Sequence, residues 1–343
     1  MDKIEVEGIN SLKGIIQISG SKNSSLPIIA STLLINDETI ISNVPNLSDV
    51  KFMIKILESL GSKVIFEGSI CKIKSSQPSD LKVSYELVRK MRASFLILGP
   101  LLTKYGYAEV SLPGGCAIGT RPVDFHISAL KKMGAEFVVE DGYIKGKVKG
   151  RLKGCKITLK KISVGATENI IMAATLAEGE TIIKNAACEP EISDLSNFLI
   201  NAGAEIKGHG TNIIKIKGKK KLRGCEFSVM PDRIEAGTFA LSVMGCSGSI
   251  ILENVNDLIC NHLKQIFKPL NVLSLNKKDN GNKLVIKKTN KSLNNVIIST
   301  KEFPGFPTDL QAQLIASLTK SEGKSEIKEN IFENRFMHVS ELR

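Results

Sequence analysis

The segment Glu180-Thr181-Ile182-Ile183-Lys184-Asn185-Ala186, ETIIKNA, reads as a strand ending on Asn, and it decides the fold because it recurs. After it come an amphipathic helix over 192–202, the pair Gly203-Ala204, and two strand-like runs within EIKGHGTNIIKIKG. ETIISNV (38–44) opens the same order, with a helix around 49–60, then Gly61, KVIFEG and CKIKS. AEVSLPGG (108–115) opens another copy, with a helix around 124–133 and Gly134-Ala135. SIILENV (249–255) opens a fourth, with a helix around 258–270 and a degenerate Gly, and KSEIKEN (324–330) begins a fifth. Gly61 and Gly134 stand 73 residues apart, Gly134 and Gly203 stand 69 apart, and so do Asn185 and Asn254. A fixed period with matching internal order is the mark of a repeat architecture.

Each copy carries its own helical signal. Val50, Met53, Ile54 and Leu57 fall at i, i+3, i+4 and i+7, one apolar face. Another apolar helix candidate precedes each copy, at 26–35, 95–102, 169–177, 236–244 and 310–318. The residues thus give helix–strand–helix–strand–strand, with helices covering one face of each sheet, an α/β arrangement.

Composition bounds the function. The chain has 343 residues, 42% hydrophobic and 24% charged, ordinary for a soluble globular protein of two domains or one large one. The longest apolar run, 26–35, is far short of the ~20 residues that cross a bilayer. MDKIEVEG is charged and strand-like, unlike a signal peptide, so a cytoplasmic protein is expected. A net charge of +12 suits anionic small molecules or nucleic acid, but with 5% aromatics and no Trp there is little to stack bases on. The basic run at Lys217, Lys219, Lys220, Lys221 and Arg223 reads as a solvated turn between strands. Seven cysteines without CxxC spacing give neither a zinc site nor a disulfide framework. Six are expected to be small buried hydrophobes, and Cys116 is set apart by its surroundings.

Those surroundings are Leu112-Pro113-Gly114-Gly115-Cys116-Ala117-Ile118-Gly119-Thr120-Arg121-Pro122, a Gly-rich loop between a strand and a helix. A Cys near Arg121 and His126 fits a reactive thiol, and the same loop fits a mobile lid. Gly20-Ser21-Lys22-Asn23-Ser24 and Lys161-Ile162-Ser163-Val164 are strand-to-helix turns with Lys and small residues, which suit a phosphate and equally an exposed turn. Arg89, Lys90 and Arg92 precede an apolar helix in the same way. Asp309, in Phe303-Pro304-Gly305-Phe306-Pro307-Thr308-Asp309, is both a first-turn residue and a carboxylate that a rigid Pro–Gly segment can aim as a general base. Asp232 and Arg233 are expected to form an ion-paired helix start.

ISGSKNSSLPI, RKMRAS, SLPGGCAIGTRPVDFHIS, KISVGAT, AACEPEI, PDRIEAGTF, FPTDLQAQ and FENRFMHV together resemble the UDP-N-acetylglucosamine 1-carboxyvinyltransferases, a family of enolpyruvyl transferases. The resemblance covers the chain from end to end. It implies two domains, each an inside-out α/β barrel of three βαβαββ units, with the active site between them. The implied domains are 22–231, and 1–21 joined to 232–343. The implied reaction adds UDP-N-acetylglucosamine to phosphoenolpyruvate and then eliminates phosphate, the first committed step of peptidoglycan synthesis.

The resemblance gives Asp309 the role of base on the sugar 3-hydroxyl and Cys116 that of acid on C3 of the enol. Lys22 and Arg121 match a clamp on phosphoenolpyruvate, and Asn23 matches a hydrogen-bonding partner of the tetrahedral intermediate. Arg92, Arg121, Pro122, Val123, Asp124, Phe125, Lys161, Ile162, Ser163 and Val164 match contacts to the nucleotide sugar, with Ile331 beside the sugar or uridine. No metal or redox cofactor is implied, and no membrane or nucleic-acid partner. The related shikimate-pathway enolpyruvyl transferases share the fold but not the PGGCAIGTRPVD loop. A non-catalytic remnant that binds nucleotide sugar is the alternative from another class. Six units of ~70 residues make about 420, so the last ~75 have no counterpart here. Little activity and a marginal split domain are therefore expected, with Ile259, Ile266, Phe267, Leu314 and Leu318 left uncovered.

Overall fold

The structure is a computed structural model that describes residues 3, 5, 7–78, 80–88, 91–111, 123–289, 292 and 295–343, with the backbone alone at Arg92. The chain divides into two compact units, one running from Gly20 to Met230 and the other joining the residues up to Ser19 to Pro231–Arg343. These divisions fall just before the expected 21/22 and 231/232. The Ser21 N–H bonds to the Met230 carbonyl (2.8 Å), which keeps both residues with the Gly20–Met230 unit.

That unit contains three four-stranded sheets of one topology. Glu226–Ser228 runs parallel to Thr39–Ser42, which is antiparallel to Ile70–Lys74, which is antiparallel to Lys63–Glu67. Lys82–Val83, Tyr107–Ser111, Tyr143–Val148 and Ala135–Glu140 repeat the order, as do Lys156–Thr158, Glu180–Lys184, Ile213–Lys217 and Glu205–Lys207. The leading parallel strand is the element that the residues alone did not reveal and the resemblance supplied. It is only two or three residues long, too short for an alternation to register.

Inside this unit lie the first helices of the copies. Lys22–Ser31 is buried from Ser24 onward and Val164–Ala174 from Ala166 onward, as expected for helices apolar on all sides. The sheets alternate, with Ile70–Lys74 and Ile213–Lys217 each reading exposed–buried along the strand, so one face meets the helices and the other meets water. One continuous core runs from Leu26 to Val229. Gly99 is needed in it because a Cβ there would lie 2.2 Å from Asn169 Oδ1.

In the other unit, Leu12–Gln17 leads the sheet of Gly248–Glu253, Lys283–Lys288 and Leu273–Lys278 with the same topology. Ile297–Ser299 and Glu326–Lys328 form a parallel pair. Leu12–Gln17 precedes helix Lys22–Ser31 in sequence but pairs in the other unit, and Glu226–Ser228 stands in the same relation to helix Arg233–Cys246. Each unit thus receives its leading strand from across a chain crossing.

The Asn that marks the repeat has a mechanical role. Asn43, Asn185 and Asn254 end their strands at φ of 55°, 57° and 54°, a left-handed turn that Asn tolerates better than most residues. Their side-chain amides donate to the carbonyls of Val229 (2.7 Å), Leu159 (2.9 Å) and Ile18 (2.7 Å), each just past the parallel neighbour strand. Asn330 donates likewise to the Thr300 carbonyl at 3.1 Å. The signature residue is a latch that closes four of the five parallel pairs among the described residues, all but Lys82–Val83 with Tyr107–Ser111.

Two expectations are corrected. Ile259, Ile266, Phe267 and Leu314 are buried and Leu318 is half-buried, because helix Asp257–Phe267 packs on its own strand Leu273–Lys278 and Gln311–Leu318 packs on Arg233–Cys246. Only Cys71 and Cys260 of the six described cysteines are buried. Cys155 and Cys225 are half-buried because they immediately precede edge strands. The expected helix start at Asp232 and Arg233 is there: Asp232 is the N-cap, accepting from Ile234 N–H (2.8 Å) and Glu235 N–H (3.0 Å), and Arg233 is buried with its guanidinium 5.9 Å from the Phe303 ring.

Candidate functional site

Helix Lys22–Ser31 starts where the Ser21 hydroxyl accepts from the Ser24 N–H, and Val164–Ala174 starts where Ser163 accepts from the Ala166 N–H, both at 3.3 Å. The two helices begin four and five residues before the apolar runs suggested, because the caps recruit the polar residues ahead of those runs. Capped starts carry N–H groups and the positive end of the helix dipole, and they attract anions. Lys22 is the first residue of its helix and pairs with Asp49 at 3.1 Å. Asn23 beside it is exposed, as are Lys161 and Ile162 ahead of the second cap.

A third helix start adds to this region of the Gly20–Met230 unit. Val123 is the N-cap of Asp124–Lys132, and Asp124 and Phe125 open the first turn. The next residue, His126, ties three elements together. Its ring meets Phe95 edge-on at 5.3 Å, and its Nδ1 lies 2.9 Å from Asn169 Nδ2. A Cβ on Gly165 would touch it at 3.4 Å. Asn169 Oδ1 accepts from the Gly99 N–H at 2.7 Å, so its Nδ2 is the donor to His126 and the imidazole proton sits on Nε2. The structure therefore brings the starts of Asp124–Lys132 and Val164–Ala174 together with the turn Arg92–Ile97, which Arg92 opens. Cys116, Arg121 and Pro122 lie outside the described residues, and the expectations placed on them stay with the sequence.

Four acids behind these helix starts went unassigned in the sequence. Glu168, Glu189, Glu191 and Asp194 are all buried. The Glu168 carboxyl is pushed well above the usual carboxylate range, by burial first and then by Glu191 and Glu189. Burial raises Asp194 to about 6 against the Ser24 hydroxyl and the Met230 N–H (3.1 Å), which both donate to its Oδ2. These acids run from the helix that Ser163 caps to the one that Ser21 caps. The available signal was acids inside apolar runs, GATENIIMAA and ACEPEISD.

In the other unit Asp309 lies in the turn Thr308–Leu310, where its first-turn placement agrees with the plainer of the two sequence readings. Its Oδ1 accepts from Arg335 at 2.7 Å, and its side chain is 38% exposed, so a carboxylate oxygen remains within reach of solvent. Ile331 is half-buried, and its N–H donates to Glu329 at 2.8 Å. His262 is buried against Phe303, ring centroids 4.8 Å apart, beneath the loop that leads to Asp309. Burial and then Arg233 push its imidazole down to about 4, with the Gly305 and Pro304 backbone offsetting part of this. The described residues hold no cluster of ligands for a metal ion. No helix among them is long and apolar enough to cross a membrane.

Residues 6–343 match the family of EPSP synthase (3-phosphoshikimate 1-carboxyvinyltransferase). The chain is 48% identical over 344 residues to a UDP-N-acetylglucosamine 1-carboxyvinyltransferase of Nitratidesulfovibrio vulgaris, covering 100% of this chain and 81% of that protein. A protein of the same name from Coxiella burnetii is 47% identical, with 100% and 79% covered. Among solved structures, the enolpyruvyl transferase NikO from Streptomyces tendae superposes with a TM-score of 0.84 at 20% identity, over 97% of this chain and 78% of that one.

Proposed function

The chain belongs to the UDP-N-acetylglucosamine 1-carboxyvinyltransferases, and from that membership we infer that it transfers the enolpyruvyl group of phosphoenolpyruvate to the 3-hydroxyl of UDP-N-acetylglucosamine, releasing phosphate. The observation that carries this reading is the 48% identity to such a protein over the whole chain. The helix starts support it, because both substrates are phosphorylated anions and Lys22, Asn23, Val123, Asp124, Phe125, Lys161, Ile162, Ser163 and Val164 lie at or beside helix starts, where the dipole favours negative charge.

In this reading the oxygen of the sugar 3-hydroxyl attacks C2 of the enol as Asp309 takes its proton. C3 takes a proton from the Cys116 thiol, which gives a tetrahedral adduct. The Cys116 thiolate then takes a proton back from C3 as phosphate leaves C2, which re-forms the C2–C3 double bond as the enol ether of the sugar. Lys22 and Arg121 hold the phosphoenolpyruvate anion, and Asn23 hydrogen-bonds the adduct. Arg92, Pro122, Val123, Asp124, Phe125, Lys161, Ile162, Ser163 and Val164 take the nucleotide sugar, with Ile331 against the sugar or uridine. Fixed cations and helix ends do the electrostatic work. The product would feed peptidoglycan synthesis in the cytoplasm, and through it cell shape and division.

Phosphate release measured with phosphoenolpyruvate and each acceptor tests the reading. Whatever turnover the chain shows is expected with UDP-N-acetylglucosamine in preference to shikimate 3-phosphate, and the reverse preference would overturn the reading. Maleimide labelling tests the thiol. Burial raises the Cys71 thiol to about 12 and also raises Cys155, Cys188, Cys225 and Cys260. Cys116 is expected to react first at neutral pH, ahead of these five and of the half-buried Cys246. A fast phase that survives Cys116→Ala would remove it from the mechanism.

A further inference from the structure

We propose that Glu329 is a positioning residue that clamps together the two segments carrying Asp309 and Arg335. The inference rests on Asp309 being the base.

Asp309 and Arg335 come from chain segments 26 residues apart, and their 2.7 Å ion pair depends on both segments holding still. Glu329 touches each. Its Oε2 accepts from the Thr308 hydroxyl at 2.9 Å, one residue before Asp309. Its Oε1 accepts from the N–H groups of Ile331 (2.8 Å) and Phe332 (3.2 Å), at the start of the segment that leads to Arg335. The same oxygen accepts from the Thr300 hydroxyl at 2.9 Å, which also receives the Asn330 N–H at 2.9 Å. One carboxylate thus accepts four hydrogen bonds, and hydrogen bonds to a charged acceptor are stronger than neutral ones. The strand pair Ile297–Ser299 and Glu326–Lys328 fixes the base of the clamp.

Glu329 acts through these donors, with no contact to Asp309 itself among its hydrogen bonds. Its removal frees the Thr308 side chain and the Ile331 and Phe332 amides, so the carboxylate of Asp309 and the backbone at Ile331 lose their common reference. Small displacements of a reacting group are costly to turnover. Gln keeps most of the clamp. Its carbonyl oxygen accepts from both amides, and its NH₂ donates to Thr308 Oγ1, a hydroxyl that serves in either role.

The test compares Glu329→Ala, Glu329→Gln and Asp309→Asn in phosphate release, with amide hydrogen exchange at Ile331 and Phe332. E329A should lower kcat at least tenfold while KM for phosphoenolpyruvate stays within twofold, and E329Q should recover to within threefold of wild type. Exchange at both amides should quicken at least tenfold in E329A and not in E329Q. E329A turning over at the wild-type rate while D309N is inactive overturns the clamp alone. D309N turning over normally overturns the role of Asp309. Should the wild-type chain release no phosphate, exchange decides, and unchanged protection of both amides in E329A overturns the clamp.

Discussion

The unit Gly20–Met230 holds three four-stranded sheets around one continuous core, whereas its companion holds one four-stranded sheet and one strand pair among the described residues. Both nonetheless bury the apolar faces of their helices. Ile259 and Leu314 in the second are as inaccessible as Ile170 and Leu195 in the first. Large exposed apolar side chains sit on strands in both, at Ile65, Val138 and Val139 in one and at Ile297, 74% exposed, in the other. A copy therefore covers its helices with its own sheet and with the neighbouring first helix. Outer sheet faces and edges stay open in either unit. The contrast between the units lies in their buried charged and titratable groups, which differ in sign: Glu168, Glu189, Glu191 and Asp194 in the first, Arg233 and His262 in the second.

The largest expected effect tests the division of chemistry. Asp309→Asn should lower kcat about 10³-fold, the scale of a lost general base, while the stability of both units stays close to wild type. A loss under tenfold, read by steady-state phosphate release, would leave Asp309 as a helix-start residue only.

Next comes pH. Asp194 rises from 3.8 to about 6 in the folded unit, so its stabilising contribution is full below pH 3.8 and is lost as pH rises to 6. His262 falls from 6.5 to about 4, so its contribution is full above 6.5 and is lost as pH falls to 4. Each is worth up to about 3 kcal/mol. Hydrogen exchange read region by region should show Asp194→Asn stabilising the Gly20–Met230 unit at pH 7 with no gain near pH 4. His262→Gln should flatten the acid loss in the other unit. Slopes of the same sign in both units would break the comparison.

The smallest effect separates the latches. Asn185→Ala forces Ala into a left-handed turn and removes the hydrogen bond that the side-chain amide donates to Leu159, about 2 kcal/mol together. Asn330 is not at positive φ, so Asn330→Ala loses only its hydrogen bond, about 1 kcal/mol or less. Equal losses in denaturant titrations would show that the latch acts alike in both units.

The amino-acid sequence by itself determined the repeat and the helix faces, because a period near 70 residues and the i, i+3, i+4 pattern are properties of order along the chain. The Lys and Ser positions at helix starts were legible for the same reason, since a cap and the helix it begins are neighbours in sequence. Only the tertiary structure decided which strand leads each sheet, because Leu12–Gln17 and Glu226–Ser228 pair with partners far away in sequence. It also decided why the repeat ends on Asn. The latch bond of Asn43 reaches Val229, 186 residues on, and that of Asn254 reaches back 236 residues to Ile18. The buried acids Glu168, Glu189, Glu191 and Asp194 and the clamp at Glu329 belong to the same class. An acid inside an apolar run hints at burial, but its protonation and its partners are set by groups that only folding brings near.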